Sequence, residues 1–189
     1  MKVSLSPFWV LKLNKPYDMI GGMVKQSASM DASFWINCCA GGIVQFVPSY
    51  FQLLVTTPVV SEIRYPLVSL GMKTYSVDTF EQWIGDGRIV LQDPDLSVEW
   101  FQPGENAAIG LAVESDSWLL IDDANPYHRA KSFGLRVAGT ADFAILLFDQ
   151  GHIAADAAFK ALRAVRISRG QRRQALSLLE TLIRRKKEE

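Results

Sequence analysis

Cysteine is almost missing from these 189 residues, and the two present, Cys38 and Cys39, are chain neighbours. Adjacent cysteines cannot staple distant segments, so both read as small apolar core residues of a chain suited to a reducing, cytoplasmic setting. Histidine is as scarce. Neither His128 nor His152 has partners at a spacing that would make a zinc site or a nucleophile–histidine–acid triad. Net charge is lacking as well: 20 basic residues balance 20 acidic ones, which argues against a globally basic nucleic-acid binder but leaves charge free to segregate between faces. No apolar run is long enough to span a membrane. The stretch from Ile43 to Val60 is broken by Gln45, Pro48, Gln52 and Pro58, and Lys12, Asn14, Lys15 and Asp18 interrupt any leader-like run at the N-terminus. A soluble cytoplasmic protein is therefore expected. No G-x-G-x-x-G or Walker pattern follows a strand candidate, which ranks a nucleotide-handling Rossmann-like enzyme last among the possible classes.

What the chain does contain is a globular share of apolar residues, 49%, with 21% charged, which rules out disorder of the whole and supplies one good core at this length. Three stretches differ in character. Residues 1–25 read as an appendage ending near Gly21-Gly22, residues 26–168 as the domain proper, and residues 169–189 as a terminal helix with the basic run Arg184 to Lys187.

Within the domain, strand and helix signals alternate. QSASMD is a strand candidate ending at Asp31, followed by a helix closed at Gly41-Gly42. FQLLVT is a buried strand, and Thr57 with Pro58 opens the next helix. DTFEQW is a short helix and RIVLQ a strand. ENAAIGLAVES is a helix with a small-residue face, and SWLLID is an apolar strand stopped by Asp122 and Asp123. Asn125 and Pro126 start a helix ended at Gly134, LRVAG is a strand, and Thr140 caps a helix ended at Gly151. A helix over Asp156 to Ala164 follows. Ser168 and Gln171 then form a capping box before the row Ala175, Leu178, Leu179 and Leu182. This alternation predicts an α/β fold with a central, mainly parallel sheet. The last row either packs on its own domain or pairs two copies into a homo-oligomer.

Four acids, Asp31, Glu62, Glu105 and Asp123, recur where a strand ends or a helix begins. In an open parallel sheet those positions share one edge, so acids far apart in sequence can meet there. Crowded carboxylates repel unless a divalent cation neutralises them, and Mg²⁺ or Mn²⁺ suits oxygen donors. Cations so held make water nucleophilic and offset phosphate charge, which is the requirement of phosphodiester hydrolysis. On that reading Asp31 and Asp123 ligate directly, while Glu62 and Glu105 hold metal-bound water or a second cation. Each acid also has a plainer account as a helix-start residue or cap. Ser33 can hydrogen-bond a carboxylate or phosphate, and Arg129, Lys131 and Arg136 either contact phosphates or line a solvated face. Trp35, Trp83, Trp100 and Trp118 read as core rather than as base-stacking platforms.

The segments M-D-A-S-F at 30–34, T-P-V-V-S-E-I at 57–63, P-G-E-N-A-A-I-G-L-A at 103–112, L-L-I-D-D at 119–123 and R-A-K-S-F-G-L-R-V-A-G-T at 129–140 together resemble PIN-domain proteins, in particular a prokaryotic PIN-like branch similar to toxin ribonucleases. The resemblance covers about residues 26–180 and implies a three-layer α/β/α fold. It further implies a metal-dependent endoribonuclease acting on RNA, the toxin of a toxin–antitoxin pair with an antitoxin protein as partner. A catalytically degenerate RNA- or protein-binding module is the alternative. Carried over by position, the family's acids fall on Asp31, Glu62, Glu105 and Asp123, with Asp122 as the alternative to its neighbour. Ser33, Arg129 and Lys131 become substrate contacts. The third acid here is Glu, where Asp is common in active family nucleases.

Overall fold

The computed structural model describes residues 25–65 and 77–188. The alternating segments form five strands, β1 (Gln26–Met30), β2 (Phe51–Val55), β3 (Ile89–Leu91), β4 (Trp118–Leu120) and β5 (Val137–Ala138). They make one sheet in the order β3-β2-β1-β4-β5 with every neighbouring pair parallel. The helices among the described residues are α1 (Ala32–Ala40), α2 (Val47–Tyr50), α3 (Thr57–Arg64), α4 (Val77–Gly85), α5 (Pro103–Glu114), α6 (Ala124–Ser132), α7 (Thr140–Asp149), α8 (Ala155–Ala164) and α9 (Arg169–Glu188). They flank the sheet, giving a three-layer α/β/α architecture. The expected appendage lies almost wholly outside the described residues. No helix among those described is long and apolar enough to cross a membrane.

Strand β1 is the least apolar strand yet the central one, and its polar groups are consumed locally. Ser29 is fully buried, and its Oγ donates to the Ala108 carbonyl of α5 at 2.8 Å. Gln26 accepts from the Trp118 indole N–H across the β1–β4 pair. A buried hydroxyl is tolerated in a sheet centre when it is satisfied in this way. The chain builds outward from β1 to β2 and β3 on one side, then crosses to β4 and β5 on the other. The gap between β1 and β4 is thus the point where the winding reverses, and the carboxyl ends of those strands open into it.

Three caps fall earlier than the sequence suggests, and one of them is Gly139, which stands as N-cap of α7 in place of Thr140, the first residue of that helix. Thr56, still extended at φ −90° and ψ 157°, is the N-cap of α3, because the amide and hydroxyl of Thr57 both turn to the Asp93 carboxylate, at 2.7 and 2.6 Å. Asp123 rather than Asn125 precedes α6, since Pro126 is accommodated within the first turn and the helix begins two residues before it. The Ser168–Gln171 capping box forms as expected, each side chain bonded to the other's amide. Helix α9 packs against α7 and α8. Ala175 and Leu179 are buried there, and Leu178 and Leu182 lean on the same core. That row thus packs on its own domain, with Ala175 and Leu179 buried and Leu178 and Leu182 partly covered.

Candidate active site

Asp31 leaves β1 and caps α1. Its Oδ2 accepts from the Ser33 amide at 2.9 Å and from the Ser33 hydroxyl at 2.6 Å, while Ser33 Oγ in turn accepts from the Asp122 amide at 3.1 Å. One hydroxyl thereby ties the end of β1 to the end of β4. The Asp31 carboxylate is buried, and its Oδ1 has no hydrogen-bond partner among the described residues. Asp123 stands three residues beyond the β4 end, exposed at the start of α6, with a side chain that makes no capping bond.

Helices α3 and α5, which pack together, bring the two glutamates. Glu105 is the third residue of α5 and accepts from the Gln102 amide at 3.0 Å. Glu62 is half-buried and lies directly on Gly104: a β-carbon there would stand 2.3 Å from Glu62 Oε1.

The four charges feel one another. Burial first, then the neighbouring Asp31 and Glu105 carboxylates, push Glu62 up to about 7, with Asp123 adding to the effect. Glu105 is raised by burial and by Asp31 and Asp123, against the lowering effect of the Gln102 amide. Asp31 is raised by burial, opposed by the Ser33 bonds and reinforced by Asp123. Ionised together, these groups oppose one another at the sheet edge.

Asp122 plays a different part. It is buried, its Oδ1 accepts from the Thr140 amide at 2.7 Å, and its Oδ2 accepts from the Thr140 hydroxyl at 2.6 Å and the Asn37 amide group at 2.8 Å. Burial outweighs these bonds and lifts it to about 7. With both oxygens taken by protein donors, Asp122 clamps β4 to α1 and α7 instead of offering itself as a ligand. Gly139 permits this, since a β-carbon there would sit 2.7 Å from Asp122 Oδ1. Asp142 joins the same neighbourhood, accepting from the Gly139 amide and from Tyr127 Oη at 3.0 Å.

Arg129 and Lys131 lie on exposed turns of α6, the first over the rings of Trp100 and Phe133, the second over Tyr127. Trp35, Trp83 and Trp118 are core, as expected, whereas Trp100 is 41% exposed. Asn37, Gly104 and Gly139 escaped the sequence reading as site residues, and Thr140 was read as a cap and not as a partner of Asp122. A glycine or asparagine inside an otherwise ordinary helical segment carries no signal of what it will face.

A family model described as a PIN domain matches residues 30–187. The chain belongs to the PIN-domain family. PIN domains are in general nucleases that use divalent metals. No curated protein matches the chain. Among solved structures, a PilT N-terminus domain protein from the hyperthermophilic archaeon Sulfolobus solfataricus P2 is similar at a TM-score of 0.41 and 16% identity, over 60% of this chain and 86% of that one. In donor chemistry the four acids of this PIN domain suit a hard divalent cation, being all oxygen, mutually repelling, and including the unpartnered Asp31 Oδ1. As the side chains stand, no group of three among the described residues is arranged to grip an ion.

Proposed function

We propose that this PIN domain is a metal-dependent endoribonuclease that hydrolyses RNA phosphodiesters at the edge formed by Asp31, Glu62, Glu105 and Asp123. The observation that carries the reading is the mutual electrostatic opposition of four carboxylates drawn from four separate segments to one sheet edge. Mg²⁺ or Mn²⁺, when bound, supplies a water of lowered pKa and offsets phosphate charge. The protein's own part is positioning. Ser33 fixes Asp31 through two hydrogen bonds, leaving Oδ1 for a ligand, and Gly104 makes room for Glu62. Asp123 projects a carboxylate that its own helix does not use. The finer reading, from the likeness to toxin ribonucleases, is a toxin restrained by an antitoxin protein.

A second reading, a non-catalytic RNA- or protein-binding module, draws on the lack of any three ligands arranged for an ion among the described residues. One experiment separates the two. Purified protein is expected to cut single-stranded or structured RNA with Mg²⁺ or Mn²⁺ and to stop with EDTA, and Asp31→Asn, which keeps the cap of α1, is expected to abolish cleavage with the fold intact. RNA binding without cleavage at any metal concentration supports the second reading. Cleavage undiminished in Asp31→Asn removes the acidic edge as its source.

A further inference from the structure

We propose that the exposed stack of Trp100 and Phe133, with Arg129 beside both rings, binds an unpaired base of the RNA strand whose backbone reaches the acidic edge; this rests on the nuclease reading above. Trp100 and Phe133 lie with ring centroids 4.7 Å apart and planes 20° from parallel, and they remain 41% and 54% exposed. The Arg129 guanidinium is 5.3 Å from the Trp100 ring and 4.8 Å from the Phe133 ring. Scattered exposed aromatics are ordinary, but a stacked pair left about half exposed beside a cation is a surface suited to recognition. Sequence-tolerant binding of single strands uses the same ingredients, ring faces for bases and a positive group for the backbone.

The position of the stack relates it to the site. Both the Trp100 and Phe101 amides donate to Asn106 Oδ1, at 2.9 and 2.7 Å, and Asn106 Nδ2 returns a bond to the Phe101 carbonyl at 2.7 Å. Asn106 directly follows Glu105, so Trp100 is held by the same first turn that carries an acid of the site. Phe133 ends α6, whose start is Asp123; nine helical residues separate them, about 15 Å along the axis. A few nucleotides of extended strand span that distance. The ring faces require a base already out of a helix, which selects single-stranded over double-stranded RNA. Among the described residues no acid pairs with Arg129, so its charge stays available to a phosphate. A purely apolar protein partner would have to bury that charge.

The test measures the anisotropy of a short labelled single-stranded RNA bound to the Asp31→Asn protein, which leaves the probe intact. Trp100→Ala and Phe133→Ala are each expected to weaken binding about tenfold, and Trp100→Phe, which keeps a stacking face, to recover most of the loss. Against the same strand made abasic, all these proteins are expected to bind alike. Arg129→Gln is expected to flatten the salt dependence. Both rings are exposed, so thermal unfolding of the variants is expected to match the parent. If the parent binds RNA and the alanine variants bind it equally well, the stack is not a base site and the nuclease reading is untouched. A parent that binds no RNA overturns both. If Phe133→Ala instead converts an oligomer to a monomer by light scattering with RNA binding unchanged, the surface is a protein interface and this proposal fails.

Discussion

Gly104 is a first-turn helix residue whose value lies in the side chain it does not have. In an exposed helix, alanine in its place is worth about 0.5–1 kcal/mol. Here the new methyl group would stand 2.3 Å from Glu62 Oε1, closer than any carbon–oxygen contact allows. Gly104→Ala is therefore expected to show no gain in unfolding temperature, to displace the Glu62 carboxylate and to shrink the thermal shift produced by Mn²⁺. A variant that is both stabilised and still fully responsive to Mn²⁺ would show that Glu62 moves aside freely. Ser33 invites a second test at this scale. Its hydroxyl serves Asp31 and the Asp122 amide at once, so Ser33→Ala is expected to cost about 1–2 kcal/mol in urea unfolding and to lower cleavage without abolishing it.

The end of β4 places two adjacent aspartates in opposite circumstances, and the contrast is a prediction about that element. Asp122 is buried under three hydrogen bonds; Asp122→Ala strands Thr140 and Asn37 in the core and is expected to cost about 3 kcal/mol or more. Asp123 is exposed and caps nothing; Asp123→Ala is expected to change stability by less than about 1 kcal/mol while removing cleavage. Equal effects of the two on stability would contradict this assignment. The same pair marks how far the sequence was legible. The strands were readable because β2 and β4 are apolar runs bounded by turn residues, and Asp31, Glu105 and Asp123 were readable because each falls where a strand ends or a helix begins. Glu62 departs from that expectation, being the sixth of the eight residues of α3 and so in its last turn. Which of Asp122 and Asp123 faces inward was not readable, since a two-residue step past a strand end can rotate either way, and only Thr140 and Asn37, distant in sequence, decide it. Trp100 was unreadable for a related reason: its exposure depends on Asn106 holding its loop on the outside of α5.

At the scale of the whole molecule the raised carboxyl groups make stability depend on pH, and the proposed metal role predicts a dependence on cations as well. Glu62 moves from an ordinary 4.5 to about 7 on folding, and Asp122 from 3.8 to about 7, with Asp31 and Glu105 shifted in the same direction. Between the unfolded and folded values the native state holds more protons, so this set favours folding at low pH and that contribution is lost as pH rises from about 4 towards 7. Without divalent ions the unfolding temperature is expected to fall over that range on account of these groups. Mn²⁺ is expected to raise it more at about pH 8 than at about pH 5, where protons compete for the same oxygens. Glu62→Gln is expected to be more stable than the parent without Mn²⁺ and to respond less to it. Scanning calorimetry at both pH values checks all three, and a Mn²⁺ response indifferent to pH and to Glu62 would detach the acids from any ion.

Asn37 in α1 also reaches a late part of the chain. Its Oδ1 accepts from the Arg166 amide at 2.7 Å and its Nδ2 donates to the Arg166 carbonyl at 3.2 Å and to Asp122, so the clamp under the site closes across 129 residues. During synthesis, at about 5–20 residues per second, roughly 6–26 s pass between the emergence of these two partners. Throughout that interval Asn37 lacks its Arg166 partner, and the clamp beneath Asp31 and Asp122 is held by β1, α1 and β4 alone. A ribosome-bound chain stalled at Ala164 is accordingly expected to be open to protease, and one extended past α9 to resist it. An RNA-cutting edge assembled this way would gain its full support only once the chain around Arg166 has been made.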